Sequence, residues 1–196
     1  MDALEAILTR RSTRRFSEKL PDRDLIGRVL DAGRHAPSGS NSQTTHLIVI
    51  TDRSVLNGLA AAAQEEFARM ELSEDMYISK KKSILASRKG TYVFHYDAPV
   101  LIVTANRKGY GNAMADSACV LENMMIAANA LDLGSCWINQ LHWLDESETI
   151  RKTLYGIGLR EEETVTGGLA LGYALSGKPN RDPQKITGNP VTWAER

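Results

Sequence analysis

The chain has 196 residues, with 24 basic and 24 acidic side chains and a formal net charge of zero. That length fits one domain at about 100–200 residues each, and the neutral balance argues against a general binder of nucleic acid or membrane surface, because neither polyanion would steer the whole molecule. Apolar residues make up 42% and aromatics 6%, so the composition is globular and not disordered. Cys119 and Cys136 are too few for a disulfide scaffold or a four-cysteine zinc site.

The opening MDALEAILTRR has an acid at position 2 and no apolar signal core, which predicts a reduced, cytoplasmic domain. The longest apolar stretch, Met114 to Leu133, contains Asp116, Glu122, Asn123, Asn129 and Asp132. A membrane span would bury those groups unpaired, so no transmembrane helix is expected.

In chain order, Ala3, Leu4, Ile7 and Leu8 recur at helical spacing and predict a first helix over about 2–10. A second should start at Pro21-Asp22, where proline suits a first turn and an acid complements the helix dipole; Leu25, Ile26, Val29 and Leu30 continue its period. HAPSGSNSQ at 35–43 reads as a loop. LIVI at 47–50 reads as a buried strand, and Asp52 can cap an alanine-rich helix reaching about Glu71. Residues 72–97, with Lys80–Lys82 and scattered tyrosines, give no periodic pattern.

Val100 to Val103 reads as a second buried strand, and Asn112 can cap a long helix apolar on more than one face, hence largely buried. Cys136 to Ile138 forms a short strand, and Asp145 with Glu148 forms a possible capping box for a helix to Tyr155. Thr164 to Ala174 reads as a last core strand with close backbone approaches at its glycines. This inventory fits a central sheet covered on both faces by helices. The polar 176–196 segment ends near Trp193, whose large apolar ring needs a partner; an arm wrapped around a second subunit would supply one.

Arg10, Arg11, Arg14 and Arg15 surround Ser12 and Thr13, and only Glu18 is placed to relieve Arg14. A continued helix would stack like charges one turn apart. Such a cluster in a neutral chain suggests a bound anion, and arginine forks match phosphate geometry; a solvated basic edge with partners elsewhere in the fold meets the same pattern. In the 35–43 loop, Asn41 and Gln43 offer donor and acceptor together and could read a heterocycle edge, or could simply satisfy local backbone. His35, His46, His95 and His142 show no metal-ligand spacing, and both cysteines read as packed thiols.

RRSTRRF near the N-terminus, APSGSNSQ some two dozen residues later, a long helix ending LDLGSCWIN, then GGLALGYA and GKPNR together resemble the FMN-dependent nitroreductase family, over nearly the whole chain. The resemblance implies an α+β fold: a central mixed β-sheet flanked by helices, in a homodimer whose C-terminal arm is exchanged onto the partner, with one domain over 1–196 and residues 72–97 as an excursion that shapes the substrate channel.

It implies FMN at the dimer interface. Arg10, Arg11, Ser12 and Arg14 would hold the phosphate and the nearby polar edge, with Lys178 and Arg181 closing over the phosphate. Pro37, Ser38, Gly39, Asn41 and Gln43 would approach the flavin from the partner subunit, and Trp137, Ile138, Asn139 and Gln140 would run past the ring. Asn139-Gln140 departs from the acid-glycine or glycine pair of many members, which keeps a backbone donor and changes the polarity beside it.

The implied activity is a ping-pong oxidoreductase: NADH or NADPH delivers a hydride to flavin N5, and a nitroaromatic, quinone or similar small-molecule acceptor is then reduced, with no side chain as catalytic acid or base. Other readings are an FMN store or sensor without turnover, a dehalogenase or flavin-destroying activity on the same scaffold, and a nucleic-acid module using RRSTRR, for which one basic strip without a reading helix is thin support.

Overall fold

The computed structural model describes residues 1–182 and 184–195. Helix α1 (Ala3–Thr9) is capped by Asp2, whose carboxylate accepts the Glu5 N–H at 2.9 Å. Of its residues only Ala6 is buried, while Leu4 and Leu8 are 72% and 71% exposed. Its apolar residues therefore define a helix without facing the core of this chain. Helix α2 (Arg23–Arg34) follows Pro21-Asp22 and buries Ile26 and Val29. After a one-turn 3₁₀ segment at Gly39–Asn41 come strand β1 (His46–Ile50) and helix α3 (Arg53–Arg69), where Asp52 accepts the N–H groups of Ser54 and Val55.

The stretch without periodicity contains a helix, α4 (Ile78–Arg88), which buries Ser83, Ile84 and Ser87. Two of those three are serines, so no apolar stripe marked it. Strand β2 (Val100–Arg107), helix α5 (Ala113–Ala130), strand β3 (Gly134–Ile138), the single turn α6 (Gln140–Trp143), helix α7 (Glu148–Gly156) and strand β4 (Glu163–Gly172) complete the chain order. The cap of α7 is Ser147, whose hydroxyl accepts the Ile150 N–H, so the capping box expected at Asp145 does not form. Asp145 instead turns inward to Arg151 (2.8 Å), Thr164 Oγ1 (2.6 Å) and the Val165 N–H (3.1 Å).

The strands run in the order β1-β2-β4-β3, and all three ladders are antiparallel. The expected mixed sheet is corrected to that extent: the helix-containing connections return each strand antiparallel to its neighbour, and among the described residues the isolated Ser12–Ser135 bridge is the one parallel pairing. On one face Leu101, Val103, Ala105 and Val165 pack with α3, α4, α6 and α7; on the other Val100, Ile102, Leu169 and Leu171 pack with α2 and α5. This two-sided burial explains the unbroken apolar run of β2. β1 departs from its expected burial because it lies at the sheet edge, with Val49 38% exposed.

Candidate active site

Beyond α1 the backbone turns extended at Arg10 (φ −59°, ψ 132°), and the arginine cluster is therefore not a continued helix. The segment is fixed onto the β3 side of the sheet. The Thr13 N–H donates to the Ser135 carbonyl (2.8 Å), the Ser17 N–H to Tyr173 (2.9 Å), and Leu175 donates back to Arg15 (2.9 Å). Gly134 allows this approach: a Cβ there would lie 2.7 Å from the Thr13 side chain.

Arg10 Nε lies 3.8 Å from Glu122 Oε1 on α5, while its Nη1 is buried without a hydrogen-bond partner. Arg11 donates to Gln184 Oε1 (2.9 Å) and to the Asp182 carbonyl, tying the C-terminal segment to the cluster. Arg14 and Arg15 form no ion pair among the described residues, so Glu18 does not relieve Arg14. Arg11, Ser12, Arg14, Arg15, Leu175 and Asn180 border a cavity of about 480 Å³.

The 35–43 loop lies elsewhere. Ser40, Asn41 and Gln43 take left-handed φ values of 51°, 52° and 50°. Ser38 Oγ accepts the Gln43 N–H (3.0 Å), and Asn41 Oδ1 accepts Gln43 Nε2 (2.9 Å). Pro37, Ser38 and Gln43 border a cavity with Val120, and Asn41 and Gln43 another with Arg34; neither includes residues 10–15. Within one chain the loop and the arginines are thus separate surfaces, both seated on α5.

In the third group, Trp137 Nε1 donates to Asn139 Oδ1 (2.7 Å), Ile138 is buried, and Gln140 Nε2 donates to Tyr92 (2.7 Å). Gln140 is buried as well, while Trp137 and Asn139 are half-buried. Cys136 is 2% exposed and packs as expected, burial pushing its thiol pKa up with Arg14 and Ser12 opposing, whereas Cys119, expected in the core, is exposed on α5. Lys178 is exposed. Arg181 sits at the C-terminal end of α5, its Nε on Asn129 Oδ1 (3.2 Å) and its Nη2 on the Asn129 carbonyl (2.5 Å) and Asp132 (2.7 Å).

A sequence model of the nitroreductase family matches residues 7–173. The chain belongs to this family. A nitroreductase from Bacteroides fragilis, solved with bound FMN, is 32% identical over 100% of both chains with a TM-score of 0.87. A putative NADH dehydrogenase/NAD(P)H nitroreductase of Methanothermobacter thermautotrophicus is 27% identical over 93% of this chain and 82% of its own length. A nitrobenzene nitroreductase of Ectopseudomonas oleovorans is 26% identical, over 89% and 88% respectively.

For this nitroreductase-family chain the fold also gives partners to three polar residues of α5. Asp116 bonds the 35–43 loop, Glu122 lies against Arg10, and Asn123 Nδ2 donates to the Ala32 carbonyl (3.0 Å). Tyr92 also went unread. It accepts from Gln140 and shares a 2.7 Å bond with Ser83, joining α4 to the 137–140 stretch. A tyrosine inside a segment without periodicity carries no signal of that role.

Proposed function

We propose that this chain is a homodimeric FMN-dependent oxidoreductase that takes electrons from NADH or NADPH and passes them to a nitroaromatic, quinone or similar small acceptor. The observation carrying this reading is the extended arginine segment of a nitroreductase-family chain. It presents Arg11, Ser12 and Arg14 to one cavity, beside a buried Arg10 nitrogen with no protein partner. A guanidinium left with an unused donor fits a phosphate or a ring carbonyl, since leaving it unmade costs more than an ordinary hydrogen bond returns.

Arg10, Arg11, Ser12 and Arg14 hold the phosphate and the adjacent polar edge, with Lys178 a further basic group toward the phosphate. Arg181 contributes through Nη1, its other donors being engaged at the end of α5. Pro37, Ser38, Gly39, Asn41 and Gln43 approach the flavin of the partner subunit, in keeping with their separation from the arginines within one chain. Ile138 and Gln140 are buried while Trp137 and Asn139 are half-buried, so this stretch runs past the ring with its backbone and the Trp137–Asn139 pair toward it. When bound, FMN supplies the electron transfer between nicotinamide and acceptor. The chain's groups bind and orient it, and none is assigned a proton.

The dimer covers surface that one chain leaves open: Leu4 and Leu8 of α1, Met114 of α5, and Ile186, Val191 and Trp193 in the C-terminal segment. The β3 edge is covered by residues 12–13, whereas among the described residues nothing pairs with the outer edge of β1, which lies beside an apolar groove bordered by Leu20, Ile26, Leu30 and Val49. An exposed edge strand invites pairing, and the exchanged C-terminal arm occupies it.

The test is an absorption spectrum after FMN addition and desalting, repeated anaerobically with NADH and NADPH. Retained flavin that bleaches and recovers with a quinone or nitroaromatic is expected, as is a dimer by sedimentation. Retention without bleaching indicates a store or sensor. No retained flavin, or a monomer, sinks the proposal.

A further inference from the structure

Asp116 is 5% exposed, and no basic side chain pairs with it among the described residues. A buried carboxylate without a counter-charge is costly unless several donors hold it. Here every donor comes from, or braces, the 35–43 loop. The Gly39 N–H donates to Oδ1 (3.0 Å), Ser42 Oγ to Oδ2 (3.4 Å) and Tyr110 Oη to Oδ2 (3.0 Å), with Tyr110 Oη also 3.1 Å from Ser42 Oγ.

The loop so held is exposed from Ser40 to Gln43 and carries left-handed φ at Ser40, Asn41 and Gln43. Such conformations cost roughly 1–2 kcal/mol per non-glycine residue. The loop's own bonds, from Gln43 to Ser38 and Asn41 and from the Asn41 and Ser42 N–H groups to the Ser38 and Gly39 carbonyls, lie within it and fix nothing to the rest of the molecule. Its seat is tight, since a Cβ on Gly39 would come within 2.2 Å of Asn112 Nδ2 and 2.7 Å of the Tyr110 hydroxyl. An exposed, strained loop has no stability reason to be clamped by a buried charge; a surface that must meet a ligand in one geometry does.

We propose that Asp116 is a positioning residue. Its carboxylate, with Tyr110, holds residues 38–43 in the conformation that meets the flavin bound to the partner subunit, which rests on the function proposed above. Because Arg10 also lies against this helix, 3.8 Å from Glu122, both of the surfaces each protomer contributes to the two sites border α5.

The test uses the full chain in two arms. In the absence of FMN, hydrogen exchange at the Gly39 amide should quicken about tenfold or more in Asp116→Ala, the loss of one charge-assisted bond. Asp116→Asn, whose Oδ1 still accepts that N–H, should stay near wild type. With FMN, Asp116→Ala should weaken binding by a similar factor and alter the visible circular dichroism of the bound flavin, with Asp116→Asn again restoring both. If Asp116→Ala does not fold, Tyr110→Phe serves in its place, with smaller changes of the same sign in both arms.

Unchanged exchange overturns the clamp. Faster exchange with unaltered FMN affinity and dichroism overturns its link to the ligand. Wild-type protein that takes up no FMN sinks the flavin reading instead, and the exchange arm still decides whether Asp116 holds the loop.

Discussion

Replacing Arg10 with alanine separates the two explanations of the arginine cluster. In the folded chain Arg10 makes one ion contact, 3.8 Å to Glu122, whose side chain is 47% exposed. An exposed pair of this kind is worth about 0–1 kcal/mol, so the stability of the flavin-free protein should hardly change in Arg10→Ala. The buried Nη1 has nothing to lose within the chain. Its contact to a phosphate would be charge-assisted, worth about 1.5–3 kcal/mol, which corresponds to a Kd for FMN raised roughly 10- to 150-fold.

Urea denaturation of the flavin-free protein and fluorescence titration with FMN measure the two effects on the same preparation. A large fall in stability with unchanged FMN affinity would refute the reasoning, because it would make Arg10 a packing group. Glu122→Gln provides the internal control. It removes the weak ion partner and keeps Arg10, so FMN affinity should be retained or rise.

Gly134→Ala should push Thr13 off the β3 edge, since the added carbon would lie 2.7 Å from its side chain. A loss of about 1–3 kcal/mol in urea, accompanied by weaker FMN retention, is expected; a change in neither would show that the arginine segment is not held there. Asp145→Ala should cost about 3–5 kcal/mol by leaving Arg151 buried and unpaired, the two side chains being 14% and 13% exposed; a loss under ~1 kcal/mol would mean that solvent reaches the pair.

His95 is fully buried, and burial holds its pKa below the usual histidine value, with Asp97 and the Leu56 backbone partly opposing. The unfolded chain therefore binds a proton first as pH falls. Stability should be full above about pH 6.5 and decline below it, until the folded ring also protonates. Denaturation from pH 8 to 5 should show a shallower decline in His95→Gln; identical slopes would exclude this residue as a source.

The sequence by itself determined the elements whose burial is set by pattern: the two-sided apolar run at 100–103, the helix behind Asp52, and the glycine-marked strand read over 164–174 and found at Glu163–Gly172. It also isolated the arginine cluster, because like charges at that spacing need a partner wherever the chain goes. Tertiary structure decided what depends on position in the sheet and on contacts distant in sequence. The edge place of β1 exposes Val49, and α1 turns Leu4 and Leu8 away from its own core. Helix α4 was invisible because it buries serines, whose hydroxyls need partners such as Tyr92 that no periodicity encodes. The role of Asp116 was out of reach for the same reason. A carboxylate on a buried helix declares a need for donors, and only the fold, by bringing Gly39, Ser42 and Tyr110 to it, says which ones answer.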